Sequence, residues 1–280
     1  MRGPLCGGTR QHPAPRAVGC RGDLPLSSSR AAHLEHPETT GSTNADLLGR
    51  TDLRHGSVVA TLRQTSGRGR LDRSWSAPDG ETLAASVVLE PRGLDAAALG
   101  WLPLIAGVAM RASLSGLVAA DAGVIGVKWP NDVQIDGLKV CGILAELRPD
   151  GAVVVGVGVN LTIPADRLPT PTSTSLALHG VDGPAADIAD RVLAGFLDEV
   201  LSALDALSAA GGDAEAAGLR SRVSSECTTL GRDVRVELPD GSDLVGVATE
   251  LDPSGRLVVR SRSGHDVAVS SGDVTHLRYE

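Results

Sequence analysis

A chain of 280 residues, 42% hydrophobic and 21% charged, is long enough for one medium domain with a real core plus a small one. Its net charge of −8 removes any general attraction to phosphate backbones, and an aromatic content of 2% leaves little for a single-strand stacking platform. The four cysteines, Cys6, Cys20, Cys141 and Cys227, form no CxxC pair, which argues against zinc and thioredoxin-like motifs and for a reducing compartment.

Residues 1–30 are rich in Gly, Pro, Arg and Ser without a period. They read as a disordered tail, or as residues translated from a start site placed too far upstream. They carry no secretory h-region and no helix-turn-helix pattern, and no apolar run in the chain comes near the about 18 residues of a membrane span. The cytoplasm is the default location.

The segment from Thr39 to Leu48, TTGSTNADLL, opens a short helix that Ser42, Thr43 or Asn44 can cap. The same hydroxyls and amide can instead face a polar ligand head. A strand follows at Ser57 to Leu62, and then the most informative stretch, Gln64 to Trp75, QTSGRGRLDRSW. Arg68, Arg70 and Arg73 stand among Gly67 and Gly69, a local anion site in an acidic protein. Guanidinium groups grip phosphate or carboxylate two bonds at a time, and glycine lets backbone amides approach. A solvated basic turn is the bland alternative.

Thr82 to Leu89 is a further strand, and Ala96 to Leu117 a buried helix with Pro103 in its first turn or at a kink. Four closely spaced strands come next: Val124 to Trp129, Val133 to Ile135, Cys141 to Leu147 and Ala152 to Val159. Asp136-Gly137 and Asp150-Gly151 are hairpin turns between them. Strands joined by tight turns pair antiparallel, so the fold class is α+β, a mixed and mostly antiparallel sheet flanked by helices, rather than doubly wound. This region carries Lys128, Asn131, Asp132 and Lys139. A tight hairpin lets both lysines share a face; Asn131 can read a base edge, and Asp132 is a candidate Mg²⁺ ligand. Gly156 and Gly158 before Asn160 lack the third glycine and the helix of a dinucleotide fingerprint; they more simply let backbone pass close to a ligand.

Asp187 to Leu207 has helical periodicity, with Ile188, Val192, Phe196, Val200 and Leu204 on one face. Four short strands end the chain, Arg232 to Leu238, Asp243 to Leu251, Arg256 to Ser261 and Asp266 to Ser270, with turns at Pro239-Asp240-Gly241 and Pro253-Ser254-Gly255. They read as a small β-barrel. The expected division is a tail at 1–30, a main domain at 31–225 and the barrel at 226–280.

Taken in order, STN, QTxGRGR with R and W following, KWPND, GxKxxGILxE and GxGxN resemble the biotin–protein ligases, from about Glu38 to the C-terminus. The resemblance implies a class II aminoacyl-tRNA synthetase-like catalytic domain and an SH3-like C-terminal barrel. It implies an ATP-dependent ligase that forms biotinyl-5′-AMP and transfers biotin to a lysine of a biotin carboxyl carrier domain of acyl-CoA or pyruvate carboxylases. By the same resemblance Ser42, Thr43, Asn44, Gln64, Gly67, Arg68, Gly69, Arg70, Lys139 and Gly142 bind biotin, with Lys139 at the reacting carboxylate and Lys139 and Arg70 as the catalytic pair. Arg73, Trp75, Lys128, Asn131, Asp132 and Asn160 fall to the nucleotide, and Asp132 to Mg²⁺. ATP, Mg²⁺ and biotin are the small molecules implied, with no tightly bound prosthetic group, no nucleic acid, no membrane, and a monomer or weak homodimer. Ser66 and Cys141 stand where the family pattern has Ala, and the N-terminal segment lacks the DNA-binding pattern of bifunctional members. The rivals are a lipoate ligase, whose loop would carry adjacent arginines before three glycines, and a non-catalytic ligand-binding protein.

Overall fold

The computed structural model describes residues 24–70, 73–75, 77–238 and 240–277. Its first element is a short helix, α1 (Pro25–Ser28), where the sequence predicts only tail. Leu24 and Ser27 are buried, and the Asp190 carboxylate accepts hydrogen bonds from the amides of Leu26 and Ser27 and from the Ser27 hydroxyl. A distant carboxylate thus supplies the acceptors that a helix N-terminus lacks. Residues 24–30 belong to the fold; residues 1–23, with Cys6 and Cys20, lie outside the described residues.

The chain continues through β1 (His33–Glu35), α2 (Thr43–Leu48), β2 (Ser57–Thr61), β3 (Gly67–Arg68), β4 (Ser74–Trp75) and β5 (Thr82–Leu89). Next come α3 (Ala96–Leu99), α4 (Leu102–Ser115), β6 (Ile125–Lys128), β7 (Asp132–Ile135), β8 (Leu138–Leu147), β9 (Val153–Asn160), α5 (Ala185–Ala209) and α6 (Leu219–Glu226). Seven strands form one mixed sheet in the order β1-β2-β5-β9-β8-β7-β6. Only the β1–β2 pair is parallel. Every residue of β5 is buried, because α5 packs near it on one side and α2 on the other. β3 and β4 form a separate two-stranded ribbon above the sheet.

The predicted helix over 96–117 is two helices, broken at Gly100-Trp101, with Pro103 in the first turn of α4. A proline there loses no intrahelical bond. By length and composition this segment also corrects the expectation about membrane spans: Ala96–Ser115 covers 20 residues at a mean hydropathy of 1.5. Its side chains are the centre of the core, with Trp101, Leu104, Ile105, Val108 and Met110 all buried.

The β7–β8 hairpin turns at Asp136 (φ 51°) and Gly137 (φ 80°), the two positive φ values of a type I′ turn. Its register then shifts: Gln134 pairs with Lys139, but Val133 pairs with Cys141, so Val140 is an extra residue, a β-bulge. Side chains alternate along a strand, so without the bulge Lys139 would share the core-facing side with Cys141. The bulge turns Lys139 onto the face of Gly142 and Asp132, which pair across the hairpin. Lys128 pairs with Asp132 in turn, so both lysines do share one face of the sheet.

The C-terminal strands are β10 (Asp233–Glu237), β11 (Asp243–Leu251), β12 (Leu257–Ser261), β13 (Asp266–Val269) and β14 (Asp273–His276). They form an antiparallel sheet in the order β13-β12-β11-β10-β14, one strand more than the sequence predicts. Among the described residues no pairing joins β13 to β14, so the expected closed barrel is an open sheet. β14 escapes sequence reading because it is four residues long with one buried side chain, Val274. Pro239, of the expected Pro239-Asp240-Gly241 turn, lies outside the described residues. Two buried indoles join this sheet to the main domain: Trp101 donates to the Pro253 carbonyl (2.9 Å) and Trp129 to the Gly255 carbonyl (3.2 Å).

Candidate active site

One cleft over the β8–β9 face gathers most of the predicted residues: Ser42, Thr43, Asn44, Gln64, Arg68, Gly69, Arg70, Arg73, Trp75, Asn131, Asp132, Lys139 and Gly142 line it. Gly67 lies beside it in β3, with no room for a side chain, since a Cβ there would come 2.5 Å from the Gln64 amide nitrogen. Lys128 is half-buried on the same sheet face but does not line the cleft. Asn160 departs further from expectation. It is buried, its amide donates to the Thr174 carbonyl (2.8 Å), and it too lies outside the cleft wall. That bond holds residues 173–174 against the Lys139 backbone, with which Thr174 also pairs. The Asn160 carbonyl oxygen has no partner among the described residues.

The polar end of the cleft is a hydrogen-bonded chain. Ser42 caps α2, its hydroxyl accepting from the Ala45 amide, as its residue type predicts. The Thr43 amide donates to the Gln64 side-chain carbonyl (2.9 Å). Ser86 on β5 contacts both Thr43 (2.7 Å) and the Asn44 carbonyl oxygen (2.5 Å). One hydroxyl proton serves one acceptor, so Ser86 donates to Asn44 and accepts from Thr43. The Asn44 amide spends its two protons on the Leu144 carbonyl (3.2 Å) and the Glu146 carboxylate (2.7 Å). Asn44 is therefore committed to the protein, whereas among the described residues nothing takes the Gln64 amide protons or a Thr43 lone pair, which are left for a ligand. Gly156 makes room for this arrangement: a Cβ there would meet the Asn44 carbonyl oxygen at 2.0 Å.

The cationic end holds four cations, Lys139, Arg68, Arg70 and Arg73, three of them paired with carboxylates. Lys139 Nζ lies 2.6 Å from Asp132 Oδ1 and 5.5 Å above the Trp75 ring. Trp75 rests on a glycine shelf; a Cβ at Gly158 would be 2.6 Å, and at Gly142 3.0 Å, from its indole. Its indole N–H is buried without a partner among the described residues. Arg70 donates to the Asn131 side-chain oxygen (3.1 Å), and the Asn131 amide donates to the Ile143 carbonyl (2.6 Å). Arg68 pairs with Glu146 (3.0 Å), and Arg73 with Asp273 of β14. Burial lowers the Arg70 guanidinium from its ordinary value, with Asp132 opposing and Arg73 adding to the shift. Burial likewise lowers Lys128, with Asp132 opposing and Lys139 adding. Burial pushes the Cys141 thiol far up, so it is no nucleophile.

Asp132 is a lone carboxylate beside Lys139, and among the described residues no cluster of three or more His, Cys, Asp or Glu could hold an ion by itself. A Mg²⁺ carried by substrate phosphates asks the protein for only one or two carboxylates. Sequence reasoning passed over Ser86, Glu146 and Asp273. Ser86 and Glu146 sit on strands whose alternation says which way they point but not what lies opposite, and Asp273 is in the unread strand β14.

Residues 35–162 match the model of the biotin/lipoate A/B protein ligase family, and residues 229–277 that of the biotin protein ligase C-terminal domain. A biotin–[acetyl-CoA-carboxylase] ligase of Mycobacterium tuberculosis is 40% identical over 244 residues, covering 85% of this chain and 87% of that protein. One from Paracoccus denitrificans is 33% identical over 235 residues, covering 81% and 94%. In fold, a biotin protein ligase from Aquifex aeolicus solved with biotin and ATP aligns with a TM-score of 0.73 at 24% identity, over 88% of this chain and 100% of that one.

Proposed function

The chain belongs to the biotin protein ligase family, and from that premise we propose how its own residues perform the reaction. It is an ATP-dependent ligase that makes biotinyl-5′-AMP and transfers biotin to a lysine of a biotin carboxyl carrier protein. The observation that carries the residue assignment is one cleft, in a protein of net charge −8, with four cations at one end and a neutral donor–acceptor socket at the other. A urea-like head group with both donors and acceptors suits Gln64 and Thr43. A carboxylate and a phosphate, which repel each other, suit Lys139, Arg70, Arg68 and Arg73.

In the first step a carboxylate oxygen of biotin bonds to the α-phosphorus of ATP, and the bond to pyrophosphate breaks. Lys139 and Arg70 stabilise the charge gathering there, in a site where burial strengthens their fields. In the second step the acceptor lysine amine attacks the acyl carbonyl, the bond to AMP breaks, and the amine loses its proton. Neither step needs an enzyme nucleophile. Holding both reactants in place is worth up to about 7–11 kcal/mol in favourable cases. Asn131 and Trp75 form the wall we give to the nucleotide, with Lys128 contributing its field from the same sheet face. Asn160 acts through the 173–174 segment. Mg²⁺ accompanying the ATP phosphates would take Asp132 as its protein carboxylate, in exchange for the pair with Lys139.

We read the main sheet and its helices as class II synthetase-like and the C-terminal sheet as SH3-like, with the boundary at residues 225–226, where α6 ends. The partner domain belongs to acyl-CoA or pyruvate carboxylases, and the protein works in the cytoplasm as a monomer or weak homodimer without nucleic acid. Biotin-dependent exchange of pyrophosphate into ATP tests the first step. Exchange with biotin and none with lipoate is expected; the reverse result would reassign the acyl substrate.

A further inference from the structure

Glu146 is claimed by no step above, yet it stands where the two halves of the site meet. Its Oε2 atom accepts from the Asn44 amide (2.7 Å) and from Arg68 Nη2 (3.0 Å). Asn44 belongs to the polar socket and Arg68 to the arginine loop. The contacts therefore run unbroken from Gln64 through Thr43, Ser86, Asn44 and Glu146 to Arg68. We propose that Glu146 is a positioning residue for retaining the adenylate, the anchor that docks the Arg68 end of the loop over the cleft; this rests on the ligase reading above.

An exposed ion pair taken alone holds little, because solvent screens it and two long side chains lose freedom. Arg68 is 43% exposed, but Glu146 is only 26% exposed and is held independently of Arg68 by the Asn44 amide. Asn44 is buried at 4% exposure and has no spare proton or preferred lone pair to move with. A preset acceptor lowers the ordering cost of the arginine that docks on it. The strand supplies the direction: Gly142, Leu144 and Glu146 alternate onto the cleft face of β8, with the carboxylate at the rim. Because the adenylate is a reactive anhydride, a loop that fails to dock lets it leave before the acceptor lysine uses it.

The test measures how fast biotinyl-adenylate escapes from the whole protein, with no carrier present, in Glu146→Gln, Arg68→Ala and the double variant. Glu146→Gln keeps an acceptor for Asn44 and removes the charge that holds Arg68, so its thermal midpoint should match wild type while escape speeds up about tenfold, the equivalent of about 1.4 kcal/mol. On the Arg68→Ala background the same change should add less than twofold. Wild-type escape from Glu146→Gln, or effects of the two substitutions that multiply in full, would overturn the anchor and leave the ligase reading intact. A wild-type protein that forms no adenylate at all would remove both.

Discussion

Lys139 owes its place in the cleft to one extra residue, Val140, whose bulge moves the lysine from the core face to the cleft face. Glycine plays the opposite part at Gly156, where any Cβ would collide with the carbonyl of Asn44. Gly156→Ala should push Asn44 out of its three-partner arrangement with Ser86, Leu144 and Glu146 and weaken biotin binding about tenfold or more, the equivalent of about 1.4 kcal/mol, measured by calorimetry. Unchanged affinity would mean that Asn44 does not order the socket. The lowered Lys128 predicts a pH effect. Its charge is lost on the alkaline side at a pH below that of an ordinary lysine, so the rate of pyrophosphate exchange should decline there, and Lys128→Arg should move the decline to higher pH. The same depression means that the fold gains stability as pH rises through that pKa, because the unfolded chain then binds the extra proton. At this scale the loop arginines, Gln64, Asn131 and Lys139 were legible as charges and amides beside glycines and turns. Asn160 was not: nothing in its neighbours says that its amide turns to Thr174, away from the cleft.

The loop after β2 is held to three different elements by three arginines: Arg68 to β8, Arg70 to the Asn131 turn between β6 and β7, and Arg73 to β14. Arg68 and Arg73 are largely exposed, so solvent screens their pairs, which suits a segment that opens at low cost. Biotin with ATP should therefore slow tryptic cleavage at Arg68, Arg70 and Arg73 several-fold; equal rates with and without ligand would show that the loop does not close on the adenylate. Arg70→Ala should release biotinyl-adenylate faster than wild type, read as free adenylate without carrier. Elements with strong periodicity, such as α5 and the β6–β9 meander, were legible to within a few residues, because alternation and positive-φ turn residues mark them. β1 and β14 were not, being three or four residues stabilised by partners far along the chain.

Across the whole molecule the two sheets share one apolar core, which contains Leu104 and Phe196 of the main domain together with Val234, Leu251 and Val259 of the C-terminal sheet. The indole bonds of Trp101 and Trp129 close the junction. Trp129→Phe leaves the Gly255 carbonyl unpaired and should cost about 1 kcal/mol, seen as a fall of a few degrees in thermal midpoint with ligation retained. That two tryptophans serve as a joint was invisible in a sequence that shows only their rarity. The cleft itself depends on both sheets, since Arg73 meets Asp273 across them. The most direct test is transfer of labelled biotin to a purified biotin carboxyl carrier domain with ATP and Mg²⁺, comparing wild type with Lys139→Ala. ATP-dependent labelling that falls by about 100-fold or more in the variant, on the scale of losing a transition-state donor, is the expected result. Labelling that survives the substitution would contradict the role given to Lys139, and no labelling by folded wild-type protein would contradict the ligase itself.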